Sequence, residues 1–327
     1  MKVIAYHEYG SPEVLKLEEF PKPVPKDGQI LVKIRAASIN AADRIMMRGK
    51  PFIVRLMLGG IKRPKKNILG GDIAGVIEAV GENGKQFKPG DEVYADILDN
   101  KHVIPGGFAE YVSVPENLLA LKPSNLSFEE AAAVPIAGLT ALQALRKFRQ
   151  VKPGEKLLIY GASGGVGIYL IQIAKHFGAE VTAVCSTRNI EMARSLGADH
   201  VIDYTREDFS NNGKLYDWII AANGYRPMTV FKRALKPGGI FVGTGGKMPH
   251  LFLSLIMAPI MSITGNKKMG NLTAKADQED LLYLKELFEA GKIKPIIDHI
   301  YPLSETAEAF RYLEEQHAQG KVVIKVT

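Results

Sequence analysis

The chain has 327 residues, which is long for one hydrophobic core and comfortable for two. Its apolar fraction of 46% argues against disorder, and its single cysteine, Cys185, excludes an intramolecular disulfide and any zinc site built from several cysteines. The net charge is +7, and basic residues are spread along much of the chain. Its densest basic cluster, residues 62–66, lacks interleaved aromatic residues, which favours a solvated, anion-steering loop over a nucleic-acid site.

The first residues lack the pattern of a secretory signal. Residues 1–10 lack the basic segment followed by an apolar one that is typical of a signal peptide, so we expect a cytoplasmic protein without a transmembrane segment. The single cysteine agrees with a reducing compartment.

Residues 1 to about 120 have the pattern of a twisted, mostly antiparallel β domain. Short apolar runs at 30–34, 73–77 and 108–112 are separated by turn sequences such as Pro-Lys-Asp-Gly at 25–28.

From about residue 124 the pattern changes to alternating strands and helices. Ser127 and Glu130 have the spacing of a helix capping box. Strands are predicted at 156–160, 181–184, 200–202, 218–221 and 240–242, with helices at 165–177 and 189–196. This alternation predicts a doubly wound parallel sheet. Beyond it we expect a helix at 278–290 ended by Gly291, a helix capped by Ser304, and a closing strand at 321–326.

A glycine-rich turn between the strand at 156–160 and the helix that follows is the most informative motif. Glycine lets the backbone turn sharply and approach a pyrophosphate, whose charge is stabilised at the amino terminus of a helix. The turn is an Ala-x-Gly-x-x-Gly variant of the dinucleotide fingerprint, and its place in a βαβ series makes the motif specific. The predicted phosphate-binding residues are Gly161, Ala162, Ser163, Gly164, Gly165, Val166 and Gly167.

The same turn also contains the Gly-x-Ser-x-Gly pattern of a hydrolase nucleophile elbow, with Ser163 as nucleophile. Asp298 and His299 could be offered as its partners. However, a hydrolase places alternating β/α units before its elbow, and here a β-rich segment comes first. A serine hydrolase therefore stays the alternative from another reaction class.

The end of the second strand in this series indicates which nucleotide is bound. NAD-binding chains place an Asp or Glu there to hold the ribose hydroxyls, whereas this chain has Cys185, Ser186, Thr187 and Arg188. Two hydroxyls and a guanidinium suit the 2′-phosphate of NADP(H), and a carboxylate would repel it. We therefore predict NADP(H), with these four residues at its adenosine end. The cysteine is expected to pack at the strand end rather than act as a redox-active thiol.

Together these motifs resemble the medium-chain dehydrogenase/reductase superfamily, in its zinc-independent quinone oxidoreductase-like branch. The resemblance covers almost the whole chain and includes residues 36–43, 70–77, 87–94 and 137–141, the glycine loop and residues 320–324. It implies an α/β fold in which a Rossmann doubly wound parallel sheet, residues 124–264, is inserted into a β-rich GroES-like catalytic domain, residues 1–123 and 265–327. It further implies a homodimer.

The resemblance also bears on metal content. It places the catalytic-zinc ligands of related alcohol dehydrogenases at Asn40, Gly71 and Ile136, and none of these replaces a thiolate or an imidazole. We therefore expect no metal. Without a Lewis acid, the favoured reaction is hydride transfer to a quinone or an α,β-unsaturated carbonyl compound, because the charge then spreads to a remote oxygen.

Two residues are candidates for the catalytic site. The amide of Asn40 could donate to that oxygen, or Asn40 could only tie down the local turn. Asp43 matches an acidic position of the family motif and is expected to brace the loop or contact the cofactor rather than act as an acid. The tyrosine that some relatives carry nearby has no counterpart in residues 44–47, so water is the default proton donor. Further cofactor contacts are predicted for Thr140 and Tyr204, from the resemblance, and for Asn223, Gly243, Thr244 and Gly245, which follow strands.

Two apolar stretches, residues 52–58 and 251–263, lie beside basic residues. The second is too short for a membrane span and contains Pro259. These two stretches have three alternative roles: a wall or lid for a small lipophilic substrate, a dimer contact, or a weak peripheral membrane contact. For the whole chain, a non-catalytic NADPH-binding protein on the same fold is the alternative to an enzyme.

Overall fold

The chain forms two compact units. A computed structural model describes residues 1–57, 60–65, 67–98, 106–223, 226–246, 257–258, 261–263, 266–315 and 318–326. The first unit consists of Met1–Ile136 and Lys275–Thr327, and the second of Ala137–Ala274. Both unit boundaries differ from the predicted ones. Residues 124–136, which we predicted in the nucleotide-binding domain, lie in the first unit, where Ala131 and Ala132 are buried against its sheet, and residues 266–274, which we predicted in the catalytic domain, lie in the second.

Strands and helices are numbered in chain order over the described residues. The strands are β1 (Lys2–Ala5), β2 (Lys16–Glu19), β3 (Gln29–Ser38), β4 (Asp72–Val80), β5 (Glu92–Asp96), β6 (Tyr111–Pro115), β7 (Ala120–Leu121), β8 (Lys156–Tyr160), β9 (Glu180–Cys185), β10 (His200–Asp203), β11 (Tyr216–Ala221), β12 (Leu235–Gly243), β13 (Lys268–Asn271), β14 (Ile297–Pro302) and β15 (Lys321–Lys325). The helices are α1 (Ala41–Arg48), α2 (Ile53–Met57), α3 (Phe128–Ala132), α4 (Pro135–Arg146), α5 (Gly165–His176), α6 (Ile190–Ser195), α7 (Met228–Ala234), α8 (Gln278–Glu289) and α9 (Thr306–Glu315).

The first unit is built on a mostly antiparallel sheet, as its sequence pattern predicts. Its strand order is β14-β15-β3-β4-β5-β7, in which β14 and β15 are parallel and the other neighbours are antiparallel. The long strand β3 pairs with β15 near its carboxyl end and with β6 near its amino end. Alternate side chains of β3, Ile30, Val32 and Ile34, are fully buried in an aliphatic core, which fixes the register of the sheet.

The carboxyl-terminal segment of this unit follows the prediction except at one cap. The α8 helix begins at the side chain of Asp277, which accepts a hydrogen bond from the Asp280 N–H, and it is followed by Gly291 at a φ of +63°. Ser304, however, is not a helix cap. It lies inside a short 3₁₀ turn, Leu303–Glu305, and the Thr306 hydroxyl donates to the carbonyl of Leu303 at 2.7 Å.

The second unit is a six-stranded parallel sheet of order β10-β9-β8-β11-β12-β13. Numbered within the unit, this is the order 3-2-1-4-5-6 of a Rossmann fold. Apolar residues dominate the inner strands because helices cover both faces of such a sheet. In agreement, Leu157, Leu158 and Ile159 of β8 are all fully buried. The predicted α/β fold with a doubly wound sheet is confirmed.

Most of the predicted apolar stretch 251–263 lies outside the described residues, as do Leu58, Lys66 and Gly224. Of the described part, Ala258 and Met261 are buried in the core of the second unit beside Phe241, whereas Ile263 is 85% exposed. Within the described ranges, no helix combines the length and the apolar character that a membrane crossing requires.

Candidate active site

The carboxyl ends of the parallel strands in the second unit meet at one edge of its sheet. In the strand register, Ala221 at the end of β11 lies between Tyr160 at the end of β8 and Gly243 at the end of β12. The next strands, β9 and β10, end side by side at Cys185 and Asp203. In a doubly wound sheet, ligands bind at this edge, where the strand order reverses. The glycine loop follows β8, which lies at that reversal.

Close backbone packing explains two glycines of the loop. Gly161 has a φ of +85°, and a Cβ there would lie 2.7 Å from the backbone nitrogen of Asn223. A Cβ on Gly167 would lie 2.4 Å from the carbonyl oxygen of Gly161. Glycine is therefore required for the sharp turn and for the close approach of α5 to β8.

The amino terminus of α5 has the donors that an anion needs. Its N-cap residue, Gly164, has no side chain to cap the helix. The first α-helical hydrogen bond joins the N–H of Ile168 to the carbonyl of Gly164 at 3.1 Å. The N–H groups of Gly165, Val166 and Gly167 precede it and have no acceptor within the helix, at the positive end of the helix dipole. A diphosphate fits this terminus.

Ala162 and Cys185 support the loop from its inner side. Ala162 is fully buried, and its N–H donates to the carbonyl of Val184 at 3.1 Å. Cys185 is 1% exposed, and burial raises the pKa of its thiol to about 11. Both side chains pack inside the unit, as expected of the cysteine, and the cofactor contact of these two residues stays a prediction.

The other predicted cofactor residues lie on α4 or at the carboxyl edge of the sheet. Thr140 is nearly buried on α4. Tyr204 follows β10, is half-exposed, and donates its N–H to the carbonyl of Cys185 at 3.1 Å. The N–H of Asn223 donates to the Tyr160 carbonyl at 3.3 Å, and that of Thr244 donates to the Ala221 carbonyl at 2.9 Å. The remaining residues of this set are Gly243, which is buried, and Ser163 and Gly245, which are partly exposed.

A carboxylate that we did not predict lies beside the end of β9. Asp203, the last residue of β10, pairs with Cys185 in the strand register and accepts a hydrogen bond from the Thr187 hydroxyl at 2.5 Å. This bond, with others from the side chain and N–H of Thr205, lowers the pKa of Asp203. The hydroxyl of Thr187 is thus committed to a carboxylate, contrary to the role we predicted for it at a 2′-phosphate.

Three polar side chains at the same end can still meet an anion. The hydroxyl oxygen of Ser186 accepts a hydrogen bond from Asn189 at 3.0 Å, which leaves its own hydrogen for another acceptor. Arg188 is exposed on the turn after β9. Arg206, which the sequence did not single out, lies 3.6 Å from a carboxylate oxygen of Asp203 and is 76% exposed. The guanidinium of Arg206 therefore offsets the charge of Asp203.

In the first unit, the predicted catalytic residue Asn40 belongs to a buried polar network. Its amide nitrogen Nδ2 donates to Oδ2 of Asp72 at 2.9 Å, and its oxygen Oδ1 accepts from Nζ of Lys321 at 2.6 Å. The Lys321 ammonium also lies 3.1 Å from Oδ2 of Asp72. Asp72 is fully buried and Lys321 is 4% exposed, whereas Asn40 is partly exposed. This network fixes the orientation of the Asn40 amide.

Asp72 joins the three positions at which the resemblance places zinc ligands. Besides Asn40, it accepts hydrogen bonds from the Ser38 hydroxyl at 2.7 Å and from the backbone N–H of Ile136 at 2.8 Å. A Cβ on Gly71 would lie 2.5 Å from the side chain of Ile136. The three positions therefore do come together in the structure, around a carboxylate that we did not predict.

A zinc ion does not fit these side chains. Gly71 and Ile136 offer no side-chain donor, and the oxygen of Asn40 is bound to an ammonium group, which a metal cation would repel. In the described part of the chain, no three His, Cys, Asp or Glu side chains cluster as a metal site requires. Lys321 supplies a fixed positive charge instead.

Asp43 is hydrogen-bonded to the backbone of the loop. It is fully buried, and its two carboxylate oxygens accept hydrogen bonds from the N–H groups of Asn40, at 2.8 Å, and Gly70, at 2.9 Å. Burial raises the pKa of Asp43 to about 7. Since a buried side chain with both oxygens committed does not reach a substrate, Asp43 holds the backbone that carries Asn40.

A third buried acid lies close to this network. Asp96 ends β5 and faces Asp72 in the strand register, and its Oδ1 accepts a hydrogen bond from the N–H of Leu98 at 2.9 Å. Burial, with the nearby charge of Asp72, raises the pKa of Asp96 to about 8. Lys321 is thus the cation that the surrounding carboxylates share, since it lowers the pKa of both Asp43 and Asp96.

The alternative hydrolase triad finds no support in the structure of the first unit. Asp298 lies in β14, where its Oδ2 accepts hydrogen bonds from the Tyr312 hydroxyl at 2.8 Å and the Gln319 N–H at 3.1 Å. The ring of His299 packs against that of Tyr312, with 4.4 Å between centroids. These contacts explain the pair as part of the packing of β14 on α9.

Comparison with known proteins agrees with these observations. Residues 26–124 match the alcohol dehydrogenase GroES-like domain, and residues 196–324 match the zinc-binding dehydrogenase family. The chain is 40% identical to the 2-methylene-furan-3-one reductase of Solanum lycopersicum and 38% identical to a chloroplastic NADPH-dependent alkenal/one oxidoreductase of Arabidopsis thaliana, each over 99% of this chain and 79% of the relative. It superposes on the quinone oxidoreductase of Coxiella burnetii with a TM-score of 0.88 at 33% identity, covering 100% of this chain and 99% of that one.

The fold and these relatives define an oxidoreductase of the medium-chain dehydrogenase/reductase superfamily. Within it, the chain belongs to the quinone oxidoreductase-like branch, as its motifs indicated. This membership places the chain among oxidoreductases rather than hydrolases.

Proposed function

We propose that this protein transfers hydride from NADPH to a quinone or an α,β-unsaturated carbonyl compound without zinc. The observation that carries the proposal is the ammonium of Lys321, bound to Asn40 at 2.6 Å where zinc ligands lie in related alcohol dehydrogenases. These side chains do not suit the Lewis-acid activation that oxidation of a simple alcohol needs. Reduction of a conjugated acceptor does not need such activation, because the negative charge that forms on hydride addition develops on an oxygen that hydrogen-bond donors can stabilise.

The second unit would hold the nucleotide. Its diphosphate would rest on the N–H groups of Gly165, Val166 and Gly167, with Gly161 leaving room for it. When bound, NADPH supplies a hydride from its nicotinamide ring. The chain's own task is to orient that ring and to hold the acceptor, since both reactants must be placed before transfer.

The first unit would supply the polar contact to the acceptor. Asn40 is the partly exposed member of the buried network and is the proposed catalytic residue. Lys321 acts through Asn40 as a positioning residue, because the bond from its ammonium to Oδ1 fixes on which side of the Asn40 amide the N–H donor lies. The positive charge of Lys321 also favours a developing negative charge nearby. Water would then deliver the proton.

NADPH oxidation followed at its near-ultraviolet absorbance tests the proposal. We expect turnover with quinones, enals and enones, little with saturated aldehydes or alcohols, and no loss after treatment with a chelator. An Asn40→Ala variant should lower kcat at least tenfold and leave NADPH binding unchanged. Binding of NADPH without oxidation by any of these acceptors would overturn the proposal in favour of a non-catalytic nucleotide-binding protein. Inactivation by the chelator would instead restore a metal mechanism.

We further propose NADP(H) rather than NAD(H), because Arg188 and Arg206 both lie at the adenosine end of the site. An Arg188→Ala variant should weaken NADPH binding about tenfold or more and leave NADH binding almost unchanged, since an arginine fork contributes mainly to a phosphate. Arg194→Ala serves as the control, because Arg194 is exposed on α6 and pairs with Glu191. Equal effects of Arg188→Ala on both nucleotides would refute the assignment.

The homodimer and the cytoplasmic location remain predictions. Light scattering at several protein concentrations would test the first, and cell fractionation the second.

A further inference from the structure

One segment of the first unit carries an unusual charge. Between Asp43 and Asp72 the chain has eight lysines and arginines and no acidic residue. The whole chain has a net charge of +7, so all its other residues together sum to −1. The positive charge of this protein is therefore concentrated in residues 44–71. Lys50, Lys62, Arg63 and Lys65 of this segment are exposed.

The same segment exposes apolar side chains. Phe52, Ile53 and Leu56 are 57%, 44% and 49% exposed, and Ile61 is 52% exposed. Positions 53 and 56 share one face of α2, because residues three apart are neighbours on a helix, and Phe52 directly precedes this helix. Val54, on another face, is buried. The helix thus turns an apolar face to solvent, beside the basic residues that follow Ile61.

Specific contacts hold this face in place. The guanidinium of Arg55 lies over the ring of Tyr9, 4.7 Å from its centroid, and its Nε donates to the carbonyl of Gly49 at 3.0 Å. The Tyr9 hydroxyl donates to the carbonyl of Gly60 at 2.6 Å. Tyr9 therefore contacts both Arg55 of α2 and the backbone at Gly60, which holds α2 in this orientation. We call the exposed residues Lys50, Phe52, Ile53, Leu56, Ile61, Lys62, Arg63 and Lys65 the basic-apolar face.

We propose that the basic-apolar face docks on an anionic lipid bilayer. Lysine and arginine bind acidic headgroups, and aliphatic and aromatic side chains enter the boundary between headgroups and acyl chains. Both kinds of side chain occur together here. A second copy of the chain fits less well, because a symmetric contact sets the face against itself and so brings like charges together. This docking is independent of the acceptor and of the proposed reaction.

Co-sedimentation of the full chain with vesicles tests the docking. The vesicles are phosphatidylcholine alone or phosphatidylcholine with phosphatidylserine. We expect binding to the anionic vesicles, little binding to the neutral ones, and weaker binding as the salt concentration rises. Each basic residue near an anionic surface contributes about a fivefold factor in binding, so loss of three should lower the partition coefficient about 100-fold.

Three variants separate the contributions. The basic variant is Lys62→Gln, Arg63→Gln and Lys65→Gln. The apolar variant is Phe52→Ser, Ile53→Ser and Leu56→Ser. The control variant, Lys147→Gln, Lys152→Gln and Lys214→Gln, removes the same charge from exposed sites of the second unit. The basic and apolar variants should both lose vesicle binding, and the control should keep it. Since all nine positions are exposed, the thermal unfolding midpoints should stay close to that of the parent.

Three results would overturn the proposal. The first is absence of binding to anionic vesicles at low salt. The second is an equal loss in the control and basic variants, since net charge rather than this face would then be responsible. The third is a change of oligomeric state in the apolar variant, measured by light scattering, with vesicle binding unchanged, which would assign the face to a contact between subunits.

Discussion

The buried Lys321 should be essential to the stability of the first unit. Its ammonium lies 3.1 Å from Asp72 in a site where the two side chains are 4% and 0% exposed. Lys321→Met keeps the length of the side chain and removes the charge, so Asp72 would be left without its cation in the core. Breaking a buried pair in this way costs about 3–5 kcal/mol. Urea unfolding followed by circular dichroism measures this loss.

Lys325 offers a matched control on the same strand. Its ammonium lies 3.2 Å from Glu129, almost the same distance, but the two side chains are 56% and 21% exposed. Water screens such a pair, so Lys325→Met should cost about 1 kcal/mol or less. Both pairs involve a lysine of β15 and have nearly the same length. A difference between the two losses of stability therefore reports the effect of burial.

The double variant of Lys321→Met and Asp72→Asn completes the comparison. Its cost should fall below the sum of the two single costs by about 2–3 kcal/mol, because neither partner is then left as an unpaired buried charge. If Lys321→Met costs no more than Lys325→Met, or if the single costs simply add, the buried pair is not the interaction described here. The single variant Lys321→Met should also lower kcat more than it changes NADPH binding.

Three further outcomes follow from particular contacts. Gly161→Ala should destabilise the protein by at least about 2 kcal/mol more than Gly154→Ala and should weaken NADPH binding. Both glycines have a positive φ, but only at Gly161 would a Cβ meet backbone, 2.7 Å from the nitrogen of Asn223. Denaturation measures the loss of stability and fluorescence titration measures binding, and equal losses of stability would contradict the prediction. Asp96→Asn should stabilise the protein increasingly from about pH 4 to 8, by up to about 1.4 kcal/mol per pH unit. The pKa of Asp96 is raised from 3.8 to about 8, so in this range the folded parent keeps a proton that the unfolded chain has released, and the parent loses stability as the pH rises; parallel pH profiles of the two proteins would refute this. The thiol of Cys185, 1% exposed and with a pKa near 11, should react with a thiol reagent at pH 8 only after unfolding, and prompt reaction of the native protein would disprove its burial.

Local patterns in the sequence were enough to predict the architecture and the glycine loop. Strand and helix periods, and glycines placed between them, act over a few residues, so they are readable without the fold. The strand at 156–160 and the capping box at Ser127 were both found as predicted. Ser304 was misjudged because a short 3₁₀ turn, Leu303–Glu305, contains it and precedes the helix that begins at Thr306.

The polar networks were decided by the tertiary structure. Asn40 and Lys321 are 281 positions apart, and Thr187 and Asp203 come from the ends of two different strands. Parallel strands are joined by long crossovers, and the last strand of the chain pairs with β3, so no local period reports these contacts. The sequence alone determined where a nucleotide could bind. Only folding determined that a buried lysine accompanies Asn40, because a buried charge is stabilised by partners that come from distant parts of the chain.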